Sequence, residues 1–182
     1  MNVRTLCLSI LHDGDATGYE IRRLSVEGEC SYFVEASFGS IYPALARLES
    51  EGLVSSRLEQ QDGKPTKKIY SITPAGRDAF VQELSAPMGE EVFRSPFLLF
   101  ARFAHLLPRE LVAARANDYL AVRQEKHRIV AEAMETPSLN ACDAWVINYG
   151  RAIMGVAEEY LRTHMDDLIK LGRAEPNKDA AE

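Results

Sequence analysis

Residues 37–52 read SFGSIYPALARLESEG, and residues 53–73 continue as LVSSRLEQQDGKPTKKIYSIT. The first stretch has the signals of a short helix, and the second reads as two strands joined by a basic Gly-Lys-Pro turn. A helix followed directly by a charged β-hairpin is the order in which a winged helix-turn-helix protein presents one helix to the DNA major groove and the hairpin, its wing, to phosphates. The stretch therefore predicts a winged helix-turn-helix fold.

The helix in this stretch is expected to begin between residues 37 and 40, because serine is a good N-cap and the following proline lacks the N–H of a helix interior. Ile41, Leu45 and Leu48 recur at helical spacing and predict a buried stripe, and Gly52 is a stop signal. Such a helix suits close approach to a DNA groove, although an ordinary surface helix would show the same pattern. Its outward face carries small or polar residues, namely Ser40, Pro43, Ala44 and Arg47, with Tyr42 at the margin.

The hairpin shows the period of two that is typical of strands. Val54 and Leu58 alternate on the first strand, and Tyr70 and Ile72 alternate on the second, which predicts a sheet with one face packed on the helices. The Thr-Pro pair that opens residues 73–84 reads as the N-cap and first residue of a further helix.

The wing is locally basic although the 182-residue chain has a net charge of −6. Between Arg57 and Lys68 there are four basic residues (Arg57, Lys64, Lys67 and Lys68) and two acidic ones, which gives this span a charge of +2. Affinity for phosphate depends on the local field rather than on the total charge. A charged hairpin tip is often only solvated, but its position directly after the helix favours phosphate binding.

The first 35 residues predict two helices ahead of this unit. Apolar residues between Val3 and Leu11 recur at helical spacing and lead to the acidic turn at residues 13–15. Thr17 and Glu20 match a capping box that would begin a second helix, and Gly28 would end it.

The second half of the chain has no strand signals from about residue 86 onwards and reads as helical throughout. The last helix, from about residue 139 to Leu171, has apolar residues at alternating steps of three and four, which predicts a coiled-coil-like seam. Such helices pack on each other or on a second subunit. Residues 173–182 look like a frayed polar tail. The seam residues are Val146, Tyr149, Ile153, Ala157, Tyr160, His164, Leu168 and Leu171.

Several functional classes are excluded by what the sequence lacks. The three cysteines are far apart and form no C-x-x-C pair, and the four histidines are dispersed, so no metal site, cofactor or disulfide framework is expected. No nucleophile motif or phosphate-binding Gly-rich loop is present, so catalytic residues are not expected. No signal peptide or stretch of roughly 20 apolar residues is present, and a cytoplasmic location fits.

The first half resembles the PadR family of bacterial transcriptional regulators, and the helical second half is similar, more loosely, to the larger members that resemble virulence-gene activators. The matching segments are ATGYEI (16–21), GSIYPAL (39–45) with Leu48, EGLV (51–54), GKP (63–65), KIY (68–70) and ITPAGR (72–77). The combination is more specific than any single fragment.

The resemblance implies a homodimer that binds a partly palindromic DNA operator through its winged-helix domains, with the C-terminal helices forming the subunit interface. It places Tyr19, Ser40, Tyr42 and Lys64 where family members contact DNA. Some members respond to phenolic acids or hydrophobic drugs. The expected organisation is a DNA-binding domain at residues 1–85, a helical dimerisation domain at 86–172 and a tail at 173–182.

The leading hypothesis is a dimeric, sequence-specific transcription factor, and the alternative is a winged-helix module that binds proteins instead of DNA. Tyr19 could equally pack in the core, and Arg47 could pair with Glu51 four residues later. Trp145 and Tyr149 could stack on a flat aromatic effector, but packing at the interface is the expectation. The candidate DNA-binding residues are Tyr19, Ser37, Ser40, Tyr42, Arg47, Lys64, Lys67 and Lys68.

Overall fold

The computed structural model describes residues 1–26, 29–61, 64–90, 92–134 and 139–174, without the side chains of residues 29, 31, 38, 61, 64, 65 and 133. The helix end expected at Gly28, the turn at residues 62–63 and residues 175–182 of the expected tail therefore lie outside the described part. The chain divides into two compact units, Met1–Glu91 and Val92–Glu182.

The architecture is mostly helical with one small sheet, which confirms the predicted fold class. The helices are α1 (Val3–Asp13), α2 (Gly18–Val26), α3 (Phe38–Ser50), α4 (Pro74–Leu84), α5 (Pro96–Arg102), α6 (Arg109–Ala133) and α7 (Ala141–Leu171). The strands are β1 (Ala16–Thr17), β2 (Val54–Gln61) and β3 (Lys64–Ile72). Short 3₁₀ turns occur at Glu29–Tyr32 and Ala104–Leu106. None of the described helices is both long enough and apolar enough to span a lipid bilayer.

Capping side chains begin the helices of the N-terminal unit where the sequence predicts. At α2, the Thr17 N–H donates to Glu20 Oε2 at 2.8 Å and the Glu20 N–H donates to Thr17 Oγ1 at 3.2 Å, which confirms the capping box. At α4, Thr73 Oγ1 accepts from the Gly76 N–H at 3.0 Å, and Pro74 is the first helical residue, as expected.

Helix α3 also begins and ends as predicted. Its buried stripe, Ile41, Leu45 and Leu48, is fully enclosed. Gly52 ends the segment with a φ of +73°, a left-handed conformation that favours glycine. Pro43 lies in the second turn of the helix, where its missing N–H leaves the helix one hydrogen bond short.

The sheet has three antiparallel strands in the order β1-β3-β2, so the predicted hairpin gains a third strand that the sequence did not reveal. Val54 and Tyr70 are buried, as the alternation predicts, but Leu58 on the same face as Val54 is 74% exposed. The prediction that Leu58 packs on the helices is therefore wrong. Beyond residue 56 the hairpin extends past the helical core, and residues 57–60 and 66–68 are all exposed.

In the C-terminal unit, α6 and α7 form an antiparallel pair. The end of α7 returns to the start of α6, where the Arg109 N–H donates to the Arg173 carbonyl at 2.9 Å and the Arg173 N–H donates to the Leu107 carbonyl at 2.8 Å. Arg173 is thus held by its backbone and is not frayed, contrary to the expectation for the start of the tail. Val112 and Ala116 of α6 and Met165 of α7 are buried.

The predicted seam of α7 is on an open face of the chain. Two of its eight residues, Ala157 and Leu168, are partly buried. The other six, namely Val146, Tyr149, Ile153, Tyr160, His164 and Leu171, are exposed. The periodicity therefore describes a face that the described residues of the chain leave uncovered, and its role as a subunit interface stays a prediction.

Candidate nucleic-acid interface

A shallow groove of about 600 Å³ brings together three segments that are distant in sequence. The start of α2 forms one side, α3 contributes a single tyrosine, and β3 of the wing forms the other side. We refer to it as the tyrosine groove. Its lining residues are Thr17, Gly18, Tyr19, Glu20, Arg23, Tyr42, Lys67, Lys68 and Tyr70. Three cationic side chains and three phenol rings thus meet beside α3.

Tyr42 lies against the backbone of α2 because residue 18 has no side chain. A Cβ atom at Gly18 would stand 2.7 Å from Tyr42 Cε1, closer than real Cβ contacts allow. Nearly half of the Tyr42 side chain remains exposed. Gly18 therefore determines where the Tyr42 ring lies at the edge of α3.

Tyr19 is 58% exposed, so the alternative that it packs in the core is wrong. The Arg22 guanidinium carbon lies 5.1 Å from the centroid of its ring, within the range of a cation–π interaction. The phenol and the guanidinium together form a polar, partly cationic surface at the start of α2.

Of the two serines at the start of α3, Ser40 is less available than the sequence suggests. Ser40 Oγ accepts a hydrogen bond from the Ser37 N–H at 3.0 Å and donates to the Ser37 carbonyl at 2.8 Å. Ser37 is exposed and Ser40 is half-buried. A phosphate contact from the Ser40 hydroxyl would therefore have to replace a bond that caps the helix.

Arg47 forms the intrahelical pair that the sequence offered as the alternative to DNA contact. Its Nε donates to Glu51 Oε1 at 2.9 Å, while the side chain stays 74% exposed. Arg4 of α1 bonds to the same carboxylate. Hydrogen bonding from Arg47, followed by the charge of Arg4, lowers the pKa of Glu51.

The basic residues of the wing differ in their partners. Lys68 Nζ donates to Glu49 Oε2 at 2.8 Å and lies 4.9 Å from the centroid of the Tyr70 ring. Lys67 is exposed, and among the described residues no carboxylate oxygen lies within 4.0 Å of its ammonium group. The Lys64 side chain lies outside the described part, although its backbone begins β3. The sequence assigns the same phosphate-binding role to all three lysines, but Lys67 and Lys68 differ in their contacts in the fold.

Arg57, the fourth basic residue of the wing, bonds to other side chains of the N-terminal unit. It donates from one guanidinium nitrogen to Asp15 Oδ2 at 2.6 Å and to Ser71 Oγ at 3.2 Å. Hydrogen bonds from Ser71 and then Arg57 lower the pKa of Asp15. The contact fixes the acidic turn after α1 to the wing, so much of the charge of Arg57 is neutralised locally.

Comparison with known proteins identifies the N-terminal unit. The family model of the PadR-like transcriptional regulators matches residues 7–82. The N-terminal unit belongs to the PadR-like family. The negative transcriptional regulator PadR of Bacillus subtilis is 32% identical over 123 residues, which make up 65% of this chain and 65% of that relative. The match thus spans slightly less than two thirds of the relative's length.

Solved structures extend the likeness to the whole PadR-like fold. The smu.1604c protein of Streptococcus mutans has a TM-score of 0.79 at 28% identity and covers 91% of this chain and 99% of its own. The structure of Bacillus subtilis PadR in complex with operator DNA has a TM-score of 0.74 over 91% of this chain and 98% of its own, at 24% identity, which establishes the fold alone. Members of this family are transcriptional regulators and not enzymes, as the sequence predicts.

Five lining residues of the groove were not among the candidate DNA-binding residues, and Arg23 and Gly18 are two of them. Arg23 lies four residues after Tyr19 on α2, which puts both on one helix face. This four-residue spacing from Tyr19 is the sequence signal that points to Arg23 as a further candidate. Gly18 lies between the capping-box residues and within the family-matching segment ATGYEI, but its contact with Tyr42 depends on how α2 and α3 pack.

Trp145 and Tyr149 belong to the C-terminal unit, at the start of α7. Their rings stack with centroids 5.6 Å apart and an angle of 7° between planes. Trp145 is 68% exposed, so packing within the single chain does not account for it.

Proposed function

We propose that this chain is a sequence-specific DNA-binding transcriptional regulator that acts as a homodimer on a partly palindromic operator in the cytoplasm. The observation that carries the proposal is the tyrosine groove, in which Arg23, Lys67 and three tyrosines lie beside the exposed edge of α3. Membership of the PadR-like family supports it. So does the Bacillus subtilis relative, whose structure has been solved with operator DNA.

In this proposal α3 enters the major groove and the wing lies along the backbone. Tyr42 and Arg47 are assigned to base edges or adjacent phosphates, and Arg47 would exchange Glu51 for DNA. Tyr19, Arg23 and Lys67 are assigned to phosphates, because their polar groups border the same groove. Ser37 and the N-terminus of α3 add backbone donors for phosphate, while Ser40 and Lys64 stay predicted contacts.

The homodimer is proposed from the open face of α7. An apolar stripe that the chain does not cover is characteristic of a helix that packs against a second copy. Two copies related by a two-fold axis would place their α3 helices in successive major grooves about 34 Å apart. The half-sites of the operator should then repeat at about one helical turn.

The experiment is fluorescence anisotropy of the full chain with a labelled duplex from upstream of its own coding region and with a duplex selected from a random library. A scrambled duplex is the reference, and the salt concentration is varied. We expect Lys67→Ala to weaken binding to all duplexes and to reduce the salt slope by about 0.9 for each subunit. Lys126→Ala, which removes an exposed lysine of α6, is the matched control and should change neither quantity.

The protein-interaction module is the competing function. It predicts that no duplex is preferred over the scrambled one, even after selection at low salt, and that Lys67→Ala behaves like Lys126→Ala. That result would remove the proposed function. A selected duplex with inverted repeats one helical turn apart would support both the operator contact and the two-fold symmetry.

For Trp145 and Tyr149 we assign packing in the dimer interface, with a small aromatic effector as the second candidate. The effector candidate is favoured by the exposed, nearly parallel rings, and the Bacillus subtilis relative has been solved with p-coumaric acid. Since Trp145 is the single tryptophan, its fluorescence reports directly on the pair. Quenching by p-coumaric acid that also weakens DNA binding supports an effector. Quenching that follows protein concentration without ligand supports packing.

A further inference from the structure

One carboxylate joins α3 to both strands of the wing. Glu49, on the last turn of α3, accepts a hydrogen bond from Ser56 Oγ of β2 through Oε1 and from Lys68 Nζ of β3 through Oε2. Each carboxylate oxygen of Glu49 thus accepts a hydrogen bond from a different strand. The orientation of the wing relative to α3 is set in part by this one side chain.

The same contact removes a cation from the tyrosine groove. Lys68 lines the groove together with Lys67, but the Glu49 carboxylate lies 2.8 Å from its ammonium nitrogen. The ion pair has no net charge. Hydrogen bonding from Lys68 and then Ser56 lowers the pKa of Glu49, and Glu49 raises the pKa of Lys68, so both partners remain charged at neutral pH.

The charge that a protein offers to phosphates determines how strongly it binds DNA of any sequence. Each cation that neutralises a phosphate steepens the dependence of log K on log salt by about 0.9, which is roughly a three- to fourfold change in affinity for a fourfold change in salt. Specificity is the ratio of affinity for the operator to affinity for other DNA. A lysine held by a carboxylate does not add to the affinity for other DNA.

We propose that Glu49 is a specificity-determining residue: it withholds Lys68 from sequence-independent phosphate binding and fixes the wing in the position that suits α3 on its operator. The proposal rests on the proposed DNA-binding function. Glu49 acts through Lys68 and Ser56, so it is a positioning residue with respect to the DNA.

The test compares the wild-type chain with Glu49→Gln, Glu59→Gln and the double variant Glu49→Gln/Lys68→Gln, all full length. Glu59→Gln makes the same charge change on β2, where Glu59 faces Lys67 across the strands and makes no bond to Lys68. Each protein is titrated with the duplex selected from a random library and with its scrambled version, from about 50 to 200 mM salt. Thermal melting confirms that each variant is folded.

Glu49→Gln should bind the scrambled duplex more tightly at low salt, with a slope steeper by about 0.9 for each released Lys68, or about 1.8 for a dimer. The ratio of selected to scrambled affinity should fall. The double variant should return to the wild-type slope, because no lysine remains to be released. Glu59→Gln should keep the wild-type slope and ratio.

Two results would overturn this inference and leave the proposed DNA-binding function intact. If Glu59→Gln has the same effect as Glu49→Gln, net charge explains both. If Glu49→Gln weakens binding to both duplexes by the same factor with an unchanged slope, Glu49 is merely structural. If the wild-type chain shows no preference for the selected duplex, the proposed function and this inference fail together.

Discussion

In the N-terminal unit, the apolar residues of α1, α2, α3 and the sheet enclose one another, and Leu8, Ile21 and Leu45 have almost no exposed surface. In the C-terminal unit, several large apolar side chains of α7, Trp145 and Ile153 among them, are exposed, and few of the described residues are buried. The first unit therefore buries its periodic apolar side chains within one chain. In the second unit, the described residues leave much of the periodic apolar face of α7 exposed. The contrast teaches that apolar periodicity alone does not tell whether the covering partner lies in the same molecule.

The largest expected effect comes from the core of the first unit. Leu45→Ala should destabilise the chain by about 3 kcal/mol, because the removed methyl groups are fully enclosed and a cavity remains. Ile153→Ala, at an exposed position of α7, should cost less than about 0.5 kcal/mol in dilute protein. Urea unfolding followed by circular dichroism measures both. Equal losses at high dilution would mean that the open face is covered within one chain.

The next effect concerns association. Ile153→Asp places a charge in the centre of the proposed interface and should weaken the dimer by about 3 kcal/mol, or roughly a hundredfold. Analytical ultracentrifugation over a concentration series measures the dissociation constant. Lys126→Asp on α6 is the control for a new acidic residue and should leave it unchanged. A wild-type chain that sediments as a monomer at micromolar concentration would refute the homodimer.

The short-range features were the ones that the sequence revealed. Ser40 and Thr73 bond to backbone groups within a few residues and Gly52 adopts a left-handed conformation, so the bounds of α3 and the start of α4 follow from local chemistry. The family resemblance, carried by motifs in the same unit, was confirmed as well.

What the sequence could not reveal depends on how the elements pack. Leu58 was misplaced because a period of two does not say how far the helices cover a strand. Lys68 and Glu49 are 19 residues apart, and Arg57 and Asp15 are 42 apart, so their pairing requires the register of the hairpin and its position against α3 and β1. The wing charge counted along the chain therefore overstates what the wing offers to phosphate.

A smaller effect should separate stability from binding in the first unit. Gly18→Ala adds a methyl group that collides with the Tyr42 ring, which must move away from α2. Because Tyr42 is a proposed DNA contact, we expect about tenfold weaker operator binding, equivalent to about 1.4 kcal/mol. Unfolding free energy should change by less, since alanine favours the helix over glycine by about 1 kcal/mol.

Gly14→Ala is the matched control for Gly18→Ala. Gly14 has extended backbone angles, and a Cβ there would meet no atom within 4 Å. Its operator affinity should equal that of the wild-type chain. If Gly18→Ala binds the operator equally well, the position of the Tyr42 ring does not matter for recognition, and Tyr42 is removed from the proposed contacts.

The smallest effect tests what the acidic residue of the α2 capping box contributes. The Thr17 backbone N–H, and then its hydroxyl, lower the pKa of Glu20 below its usual 4.5. The unfolded chain therefore binds this proton at higher pH than the folded chain, so the stabilisation is complete above pH 4.5 and is lost as pH falls through the lowered pKa. Glutamine can form the same capping box without ionising.

The unfolding free energy of Glu20→Gln should consequently lie within about 0.5 kcal/mol of that of the wild-type chain at pH 7. On acidification this variant should lose less stability than the wild-type chain. Glu20→Ala lacks both the charge and the cap, and should be less stable than Glu20→Gln at every pH. Thermal melting at pH 7 and through the range below pH 4.5 compares the three. If the two variants are equally unstable at pH 7, the charge of Glu20 rather than its capping geometry stabilises α2, and the N-terminal unit depends on electrostatics more than its enclosed core implies.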